Sequence, residues 1–114
     1  MSAPTRLAPE TVTIRIDPAD PVFEGHYPGF PILPGLFLVE HVHQAVLASW
    51  AGRQLRVTAL EAVRFRKPVM PGDVVRAALS RTSDGTDLVC AAELTVKGER
   101  VATLRLRYTE GGPR

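Results

Sequence analysis

Residues 23–44 read FEGHYPGFPILPGLFLVEHVHQ, and the rest of the chain is organised around them. A loop rich in proline and glycine holds His26 and runs through Pro34 and Gly35 into the most apolar helix expected in the sequence. These residue types give a tightly defined loop backbone, and a proline in the first turn suits a helix start. Glu40 follows His26 by fourteen positions, one turn inside that helix. We interpret the imidazole and the carboxylate as an acid–base pair.

The helix is predicted over residues 35–51, with Gly52 just beyond its C-terminus. Its residues are apolar on almost every side, which is typical of a core helix covered by other elements. At about 100° per residue, the side chains of Glu40, His43 and Gln44 fall within one sector of the helix surface. Polar groups on a buried surface are costly unless they are paired, so we expect these three to have partners.

The segments outside the helix alternate between apolar and polar residues, which predicts strands. They are residues 11–16, 54–66, 73–82, 87–97 and 100–109. Turn residues separate the last four segments, which predicts successive hairpins. A sheet that curls around one helix is an α+β arrangement. We expect a single domain over residues 1–114, with 1–10 a loose arm and 110–114 a tail.

The composition excludes several classes of function. The chain has 114 residues, 45% of them hydrophobic and 23% charged, as in ordinary globular domains. The net charge of +2 is too small and too scattered to indicate a nucleic-acid partner. The single cysteine, Cys90, excludes an internal disulfide and a cysteine metal cluster, and we expect a buried thiol. Neither an apolar signal region nor a membrane-length apolar run is visible, so a cytoplasmic protein without membrane partners is expected.

Two motifs resemble those of the FabZ-type 3-hydroxyacyl-acyl-carrier-protein dehydratases, which have the hotdog fold. The first, GHYPGFPILPG at residues 25–35, differs from the family pattern only in Tyr27, where the family has phenylalanine. Glu40 and Gln44 stand at the family's positions for these residue types. The second motif, FRKPVMPGD, occupies residues 65–73. The resemblance implies a hotdog fold, in which an antiparallel sheet wraps around one long central helix.

The resemblance also implies a reaction. It is the dehydration of a 3-hydroxyacyl thioester, carried on the phosphopantetheine of acyl carrier protein, to the trans-2-enoyl thioester in fatty acid, polyketide or polyene biosynthesis. His26 would be the base for the α-proton, and Glu40 of the partner subunit would serve the hydroxyl. The Gly35 N–H at the helix start would stabilise the thioester oxygen. The resemblance implies no metal and no other cofactor.

Further residues have supporting roles in this interpretation. Tyr27, Pro34, His43 and Gln44 would support the site; Leu33, Leu36 and Phe37 would line a substrate tunnel; Arg64, Arg66 and Lys67 would contact the carrier protein. Core packing explains the tunnel residues equally well, and an ordinary solvated surface explains the basic ones. The wider basic surface would include Arg53, Arg56, Arg76 and Arg81. We expect Gln44 to bond backbone near the site, and His43 to tune Glu40 through a hydrogen bond rather than to bind a metal with it.

The expected assembly is a homodimer with sites across the interface, because a second copy would cover the open sheet edges and the remaining helix surface. A heterodimer and a dimer of dimers are the alternatives. Histidines 41 and 43 stand where the family's helix has small residues, which together with the short length suggests a pathway-specific member. Two other functions stay open: a non-catalytic or half-site subunit of a heterodimeric hotdog dehydratase, and an acyl thioesterase.

Overall fold

The computed structural model describes residues 5–6, 10–25, 33–50 and 52–111. This part of the chain contains six strands and two helices. The strands are β1 (Thr5–Arg6), β2 (Glu10–Arg15), β3 (Leu55–Phe65), β4 (Val74–Asp84), β5 (Asp87–Val96) and β6 (Glu99–Glu110), and the helices are α1 (Val22–Gly25) and α2 (Gly35–Ser49). All the predicted strands and the long helix are therefore present, with ends that differ from the prediction by one or two residues.

The strands form one antiparallel sheet in the order β1-β4-β5-β6-β3, and β2 also pairs with β4. The hairpins between β4 and β5 and between β5 and β6 are confirmed. The third predicted hairpin is wrong, because β3 pairs with β6 and not with β4. Alternation along a strand indicates which face is buried and not which strand is its neighbour. The sequence pattern therefore could not predict that β3 pairs with β6.

The segment between β3 and β4 is hydrogen-bonded both to Ile16, just after β2, and to Leu33, just before α2. The Leu33 N–H donates to the Val69 carbonyl at 2.7 Å. The Gly72 N–H donates to the Ile16 carbonyl at 2.8 Å, and the Ile16 N–H donates back to Asp73 at 2.9 Å. Gly72 has a φ of 84°, which favours glycine. The second sequence motif therefore fixes the approach to the long helix.

Helix α2 packs on one face of the sheet, which we call the inner face. Its buried side chains are spaced four residues apart: Leu38, Val42, Val46 and, just after the last turn, Trp50. Leu36 is 75% exposed and Phe37 40% exposed. The prediction of a helix buried on nearly every side is thus wrong for a single chain, because one sheet covers only one side of it.

Strand β3 forms one end of the sheet and breaks its own alternation. Its register with β6 shifts twice, and Ala62 has a φ of 53°, as at β-bulges. The shifts place Ala59 on the outer face, opposite Arg107, although strict alternation from Leu55 and Val57 would place it on the inner face. Three exposed apolar side chains of β3 face the inner side: Val57, Leu60 and Phe65. Together with Leu36 and Phe37 they form what we call the apolar edge.

Two residues of the segment predicted as a loose arm lie in a strand. Thr5–Arg6 pairs with Ser83 and Thr82 of β4, so this part of the arm belongs to the sheet. Among the described residues, no helix has the length and apolar character needed to cross a membrane.

Candidate active site

Glu40 lies on the exposed side of α2, where its carboxylate has one neighbour from its own helix. The Gln44 side-chain amide donates to Oε1 of Glu40 at 2.9 Å, across one helical turn. Gln44 was expected to bond backbone; it bonds the candidate catalytic carboxylate instead. Both side chains are exposed. The sequence predicted Glu40 on a buried helix surface, but the sheet of this chain does not cover it.

His43 is held by the sheet rather than by Glu40. Its Nδ1 lies 2.8 Å from the hydroxyl oxygen of Tyr108 on β6. The two rings are nearly parallel, with centroids 5.6 Å apart and 13° between their planes. The Trp50 ring meets Tyr108 edge-on at 6.0 Å. The expected hydrogen bond from His43 to Glu40 is absent among the described residues, because the imidazole turns towards the phenol.

Tyr108 was not among the residues singled out from the sequence. It is fully buried, and burial raises the pKa of its phenol well above the usual range, with further increases from Cys90 and from the Glu40 carboxylate. The phenol therefore stays protonated at physiological pH, and Glu40 lies close enough to act on it electrostatically. Its position could have been found from the sequence, since it continues the inward alternation of Ala102, Leu104 and Leu106.

The start of α2 faces a groove of about 500 Å³. Pro34 is the N-cap residue, and no side chain caps the helix. The first amides, that of Gly35 among them, therefore have no acceptor within the helix. Leu33, Gly35, Leu36, Phe65, Arg66 and Lys67 are among the residues that line the groove. An anionic or polarised oxygen placed here would meet the first N–H groups of the helix and the positive end of the helix dipole.

A side chain at position 35 would meet the ring of Phe65 as well as an incoming ligand. A Cβ built on this residue would lie 2.7 Å from the Cε2 and Cζ atoms of Phe65, well inside van der Waals contact. The Phe65 ring is half exposed and forms one wall of the groove. Phe65 belongs to the second sequence motif, so the two motifs meet at this contact.

The structure brings part of the predicted tunnel and carrier surface to the same groove. Leu33 and Leu36 line it, whereas Phe37 is not among its lining residues. Arg66 and Lys67 line its rim, and Lys67 forms an ion pair with Glu99. Two of the three predicted tunnel residues thus share one groove with two of the three predicted carrier contacts. The third, Arg64, is exposed on β3.

Arg81 does not belong to the basic surface predicted for the carrier protein. It is only 8% exposed. Its guanidinium pairs with Glu10, donates to the Ser49 hydroxyl at 2.8 Å, and lies 5.1 Å from the centre of the Trp50 ring. Arg81 therefore joins β4, β2 and the C-terminal end of α2. Arg53 is also paired, through two 2.9 Å hydrogen bonds to Glu110.

His26 and Tyr27 lie in the segment 26–32, outside the described residues, so their predicted roles stay predictions. The segment's neighbours on either side are described: α1 precedes it, and Leu33 follows it on the bridge to Val69. The described residues contain no group of three or more side chains suited to holding a metal ion. Cys90 is buried as predicted, and burial raises the pKa of its thiol to about 11 although the Arg81 charge lowers it.

Solved structures that resemble this chain share its fold at low sequence identity. A hot-dog-like protein from Thermanaerovibrio acidaminovorans superposes with a TM-score of 0.76 at 14% identity, covering 92% of this chain and 82% of that one. A probable thioesterase from Bartonella henselae superposes with a TM-score of 0.71 at 13% identity, covering 94% of this chain and 96% of that one. The predicted hotdog fold is confirmed.

Two relatives by sequence carry the name 3-hydroxyacyl-[acyl-carrier-protein] dehydratase FabZ. The one from Geobacter metallireducens is 34% identical over 79% of this chain and 66% of its own length. The one from Syntrophotalea carbinolica is 38% identical over 77% of this chain and 65% of its own length. The match to this chain thus spans about two thirds of each of these relatives. The family model of the ApeI-like proteins, described as ApeI dehydratase, matches residues 7–104. The chain belongs to the ApeI-like dehydratase family.

Proposed function

We propose that this protein removes water from a 3-hydroxyacyl thioester on acyl carrier protein and yields the trans-2-enoyl thioester. The observation that carries the proposal is the arrangement on α2. The uncapped amide of Gly35 opens onto a groove with mainly apolar walls, and the carboxylate of Glu40 follows within the next two turns, held by Gln44. Membership of a dehydratase family and relatives named as FabZ support the reaction class.

In the proposed reaction, His26 accepts the proton from the α-carbon of the acyl group. The electron pair of that C–H bond forms the double bond between the α- and β-carbons, and the bond from the β-carbon to the hydroxyl oxygen breaks. Glu40 gives its proton to the leaving hydroxyl, which departs as water. The Gly35 N–H stabilises the charge that develops on the thioester oxygen. The chemistry uses only acid, base and hydrogen-bond donors, so no metal and no redox cofactor takes part.

The active assembly in this proposal is at least a homodimer. Within the described residues, strand β3 ends the sheet with an open backbone edge eleven residues long, and such edges are usually covered. The apolar edge lies beside it, with Leu36, Phe37, Val57, Leu60 and Phe65 all at least 40% exposed. A second copy that covers this surface would also remove water from Glu40, and it would supply His26 across the interface.

The carrier protein docks, in this proposal, at the rim of the groove. Arg66 and Lys67 line the groove and Arg64 lies on the neighbouring strand, so their charges suit an acidic partner. The thioester on its phosphopantetheine arm would enter past the wall formed by Leu33 and Leu36. The protein would act in the cytoplasm, in fatty acid or polyketide synthesis.

A dehydration assay tests the proposal. The purified protein is mixed with a 3-hydroxyacyl thioester of acyl carrier protein, and the enoyl product is followed by its absorbance. Wild-type protein should turn the substrate over, while His26→Ala and Glu40→Gln should each lose about 10²-fold or more in kcat. Equal activity in both variants and the wild type would contradict the assignment. Activity that appears only with a second protein present would identify a half-site subunit.

A further inference from the structure

His43 and Tyr108 form a polar pair that the proposed reaction does not yet use. The His43 imidazole is partly buried on α2, one turn beyond Glu40, and its Nδ1 lies 2.8 Å from the phenol oxygen of Tyr108. Residues three apart on a helix are neighbours on its surface, so His43 and Glu40 share one side of α2. The phenol hydroxyl thus joins the active face of α2 to strand β6.

The chemistry of the phenol decides which ring nitrogen carries the proton. Tyr108 is fully buried, and burial and two nearby groups that can carry negative charge keep its phenol protonated. Within the described residues, Nδ1 of His43 is the one hydrogen-bond partner of this hydroxyl. A buried hydroxyl proton needs an acceptor, and from this we infer that Nδ1 accepts it. With Nδ1 accepting that proton, the imidazole carries its N–H on Nε2.

Ring contacts also fix the orientation of the His43 imidazole. The stacking of the two rings at 13° and 5.6 Å, and the edge of Trp50 against Tyr108 at 6.0 Å, hold the phenol and the imidazole in one arrangement. In the part of the chain that the structure describes, Nε2 has no hydrogen-bond partner. The Nε2 side of the ring is thus available to a ligand, one helical turn from the proposed catalytic carboxylate.

We propose that the His43 Nε2–H group donates a hydrogen bond to the 3-hydroxyl oxygen of the substrate, and that Tyr108 is the positioning residue that holds His43 in this tautomer. The inference rests on the proposed dehydration and extends it to a third polar group in the site. When the bond from the β-carbon to oxygen breaks, negative charge grows on the leaving oxygen until Glu40 has delivered its proton. A donor aimed at that oxygen stabilises the charge without itself transferring a proton.

The first test determines which ring nitrogen of His43 carries the proton, and it does not depend on catalytic turnover. Nitrogen-15 NMR of the labelled, assembled protein should show an unprotonated Nδ1 and a protonated Nε2 for His43 at neutral pH. Tyr108→Phe keeps both ring contacts but removes the hydroxyl, so the Nδ1 signal should move towards that of an unbonded nitrogen. A protonated Nδ1 in the wild type, or no change in Tyr108→Phe, would overturn the positioning role of Tyr108.

The second test reads contact with the substrate hydroxyl. In the Glu40→Gln variant, which should not turn over, the Nε2–H signal of His43 is compared after addition of 3-hydroxybutyryl-pantetheine or butyryl-pantetheine. The two thioesters differ only in the hydroxyl, so a shift with the first and none with the second supports the contact. Equal shifts with both, or no shift although the thioester binds, would overturn it. These readouts separate a failure of this inference from a failure of the dehydration proposal.

Kinetics provide the third test. His43→Ala should lower kcat on the order of 10²-fold with less change in KM, and His43→Gln, which restores an N–H at a similar reach, should recover part of the loss. His41→Gln, on the same helix but outside the site, is the matched control and should leave kcat unchanged. A His43→Ala variant that folds, by circular dichroism, and retains wild-type kcat would contradict the role of His43.

Discussion

The Phe65 ring lies directly against the backbone of Gly35, at the point where the long helix begins. A Cβ on Gly35 would approach two atoms of this ring to 2.7 Å. The contact joins the edge strand β3 to the uncapped start of α2, and the same ring forms a wall of the groove. The position of Phe65 therefore controls both the helix start and the width of the site proposed for the thioester.

A double-mutant cycle tests this contact. Gly35→Ala should gain helix propensity of up to about 1 kcal/mol but lose a similar amount by displacing the Phe65 ring. In a Phe65→Leu background the obstacle is smaller, so the same Gly35→Ala change should stabilise the protein. Urea unfolding of the four proteins should give a coupling free energy of about 1 kcal/mol. Additive effects would show that the ring and the glycine are independent.

Substitution of Leu60 tests the proposed dimer. Leu60 is 41% exposed on the inner side of β3, in the apolar edge. Leu60→Asp would place a charge in the proposed interface, so the protein should sediment as a monomer and lose dehydratase activity. Val74→Asp is the control, since Val74 is 39% exposed on β4, away from that edge. Unchanged assembly in Leu60→Asp, or the same loss in both variants, would contradict an interface at β3.

Arg81 should contribute much more to stability than an exposed arginine with a similar ion pair. Arg81→Ala removes a buried guanidinium from Glu10, Ser49 and Trp50 and should lower the free energy of unfolding by about 3 kcal/mol. Arg100→Ala removes a pair with Glu93 in which both side chains are 48% exposed, so less than about 1 kcal/mol should be lost. Urea denaturation measures both variants. Equal losses of unfolding free energy in the two variants would contradict a larger contribution from the buried Arg81.

The Cys90 thiol should make stability fall at alkaline pH. Burial raises its pKa from 9.0 to about 11 in the folded protein, so the fold favours the protonated thiol. The contribution of the protonated thiol to the free energy of unfolding is complete below about pH 9. It is lost as the pH rises through about 11, because the unfolded chain releases the proton first. The loss is on the order of 2 kcal/mol.

The comparison that isolates this effect is between the wild type and Cys90→Ala over the same pH range. The difference in their unfolding free energies should narrow between about pH 9 and pH 11, while the Tyr108 contribution, which has the same sign, is largely common to both. A difference that stays constant with pH would contradict the assignment. The folded wild type should also resist thiol reagents until it unfolds.

The secondary structure could be predicted from the sequence because each element has a clear period. The alternating segments form strands in the structure, and the apolar run after Pro34 forms α2. The neighbour of β3 could not be predicted, since alternation is the same whichever strand lies alongside. The exposure of Leu36 and Phe37 was missed for a related reason: an apolar side chain looks the same whether its own chain or a second copy covers it.

The sequence singled out residues of the candidate site where motifs specify them, and not where tertiary contacts do. Gly35, Glu40 and Gln44 were singled out from spacing and resemblance, and their roles in the reaction stay predictions. The alternation of β6 turns Tyr108 inward, but its pairing with His43 depends on how α2 lies across the sheet, which no local pattern contains. Arg81 was assigned to the surface because of its charge, although it continues the inward alternation of Val75, Ala77 and Leu79. There the strand period was the better guide than the residue type.

The most direct measurement of the central claim is the mass of the acyl group after reaction. A 3-hydroxyacyl thioester of acyl carrier protein is incubated with the protein, and the carrier is analysed by mass spectrometry. The account predicts the loss of one water with the thioester intact. The reverse reaction, from the enoyl thioester in oxygen-18-labelled water, should place one labelled oxygen in the acyl chain. Release of the free acid with unacylated carrier would instead show a thioesterase and contradict the account.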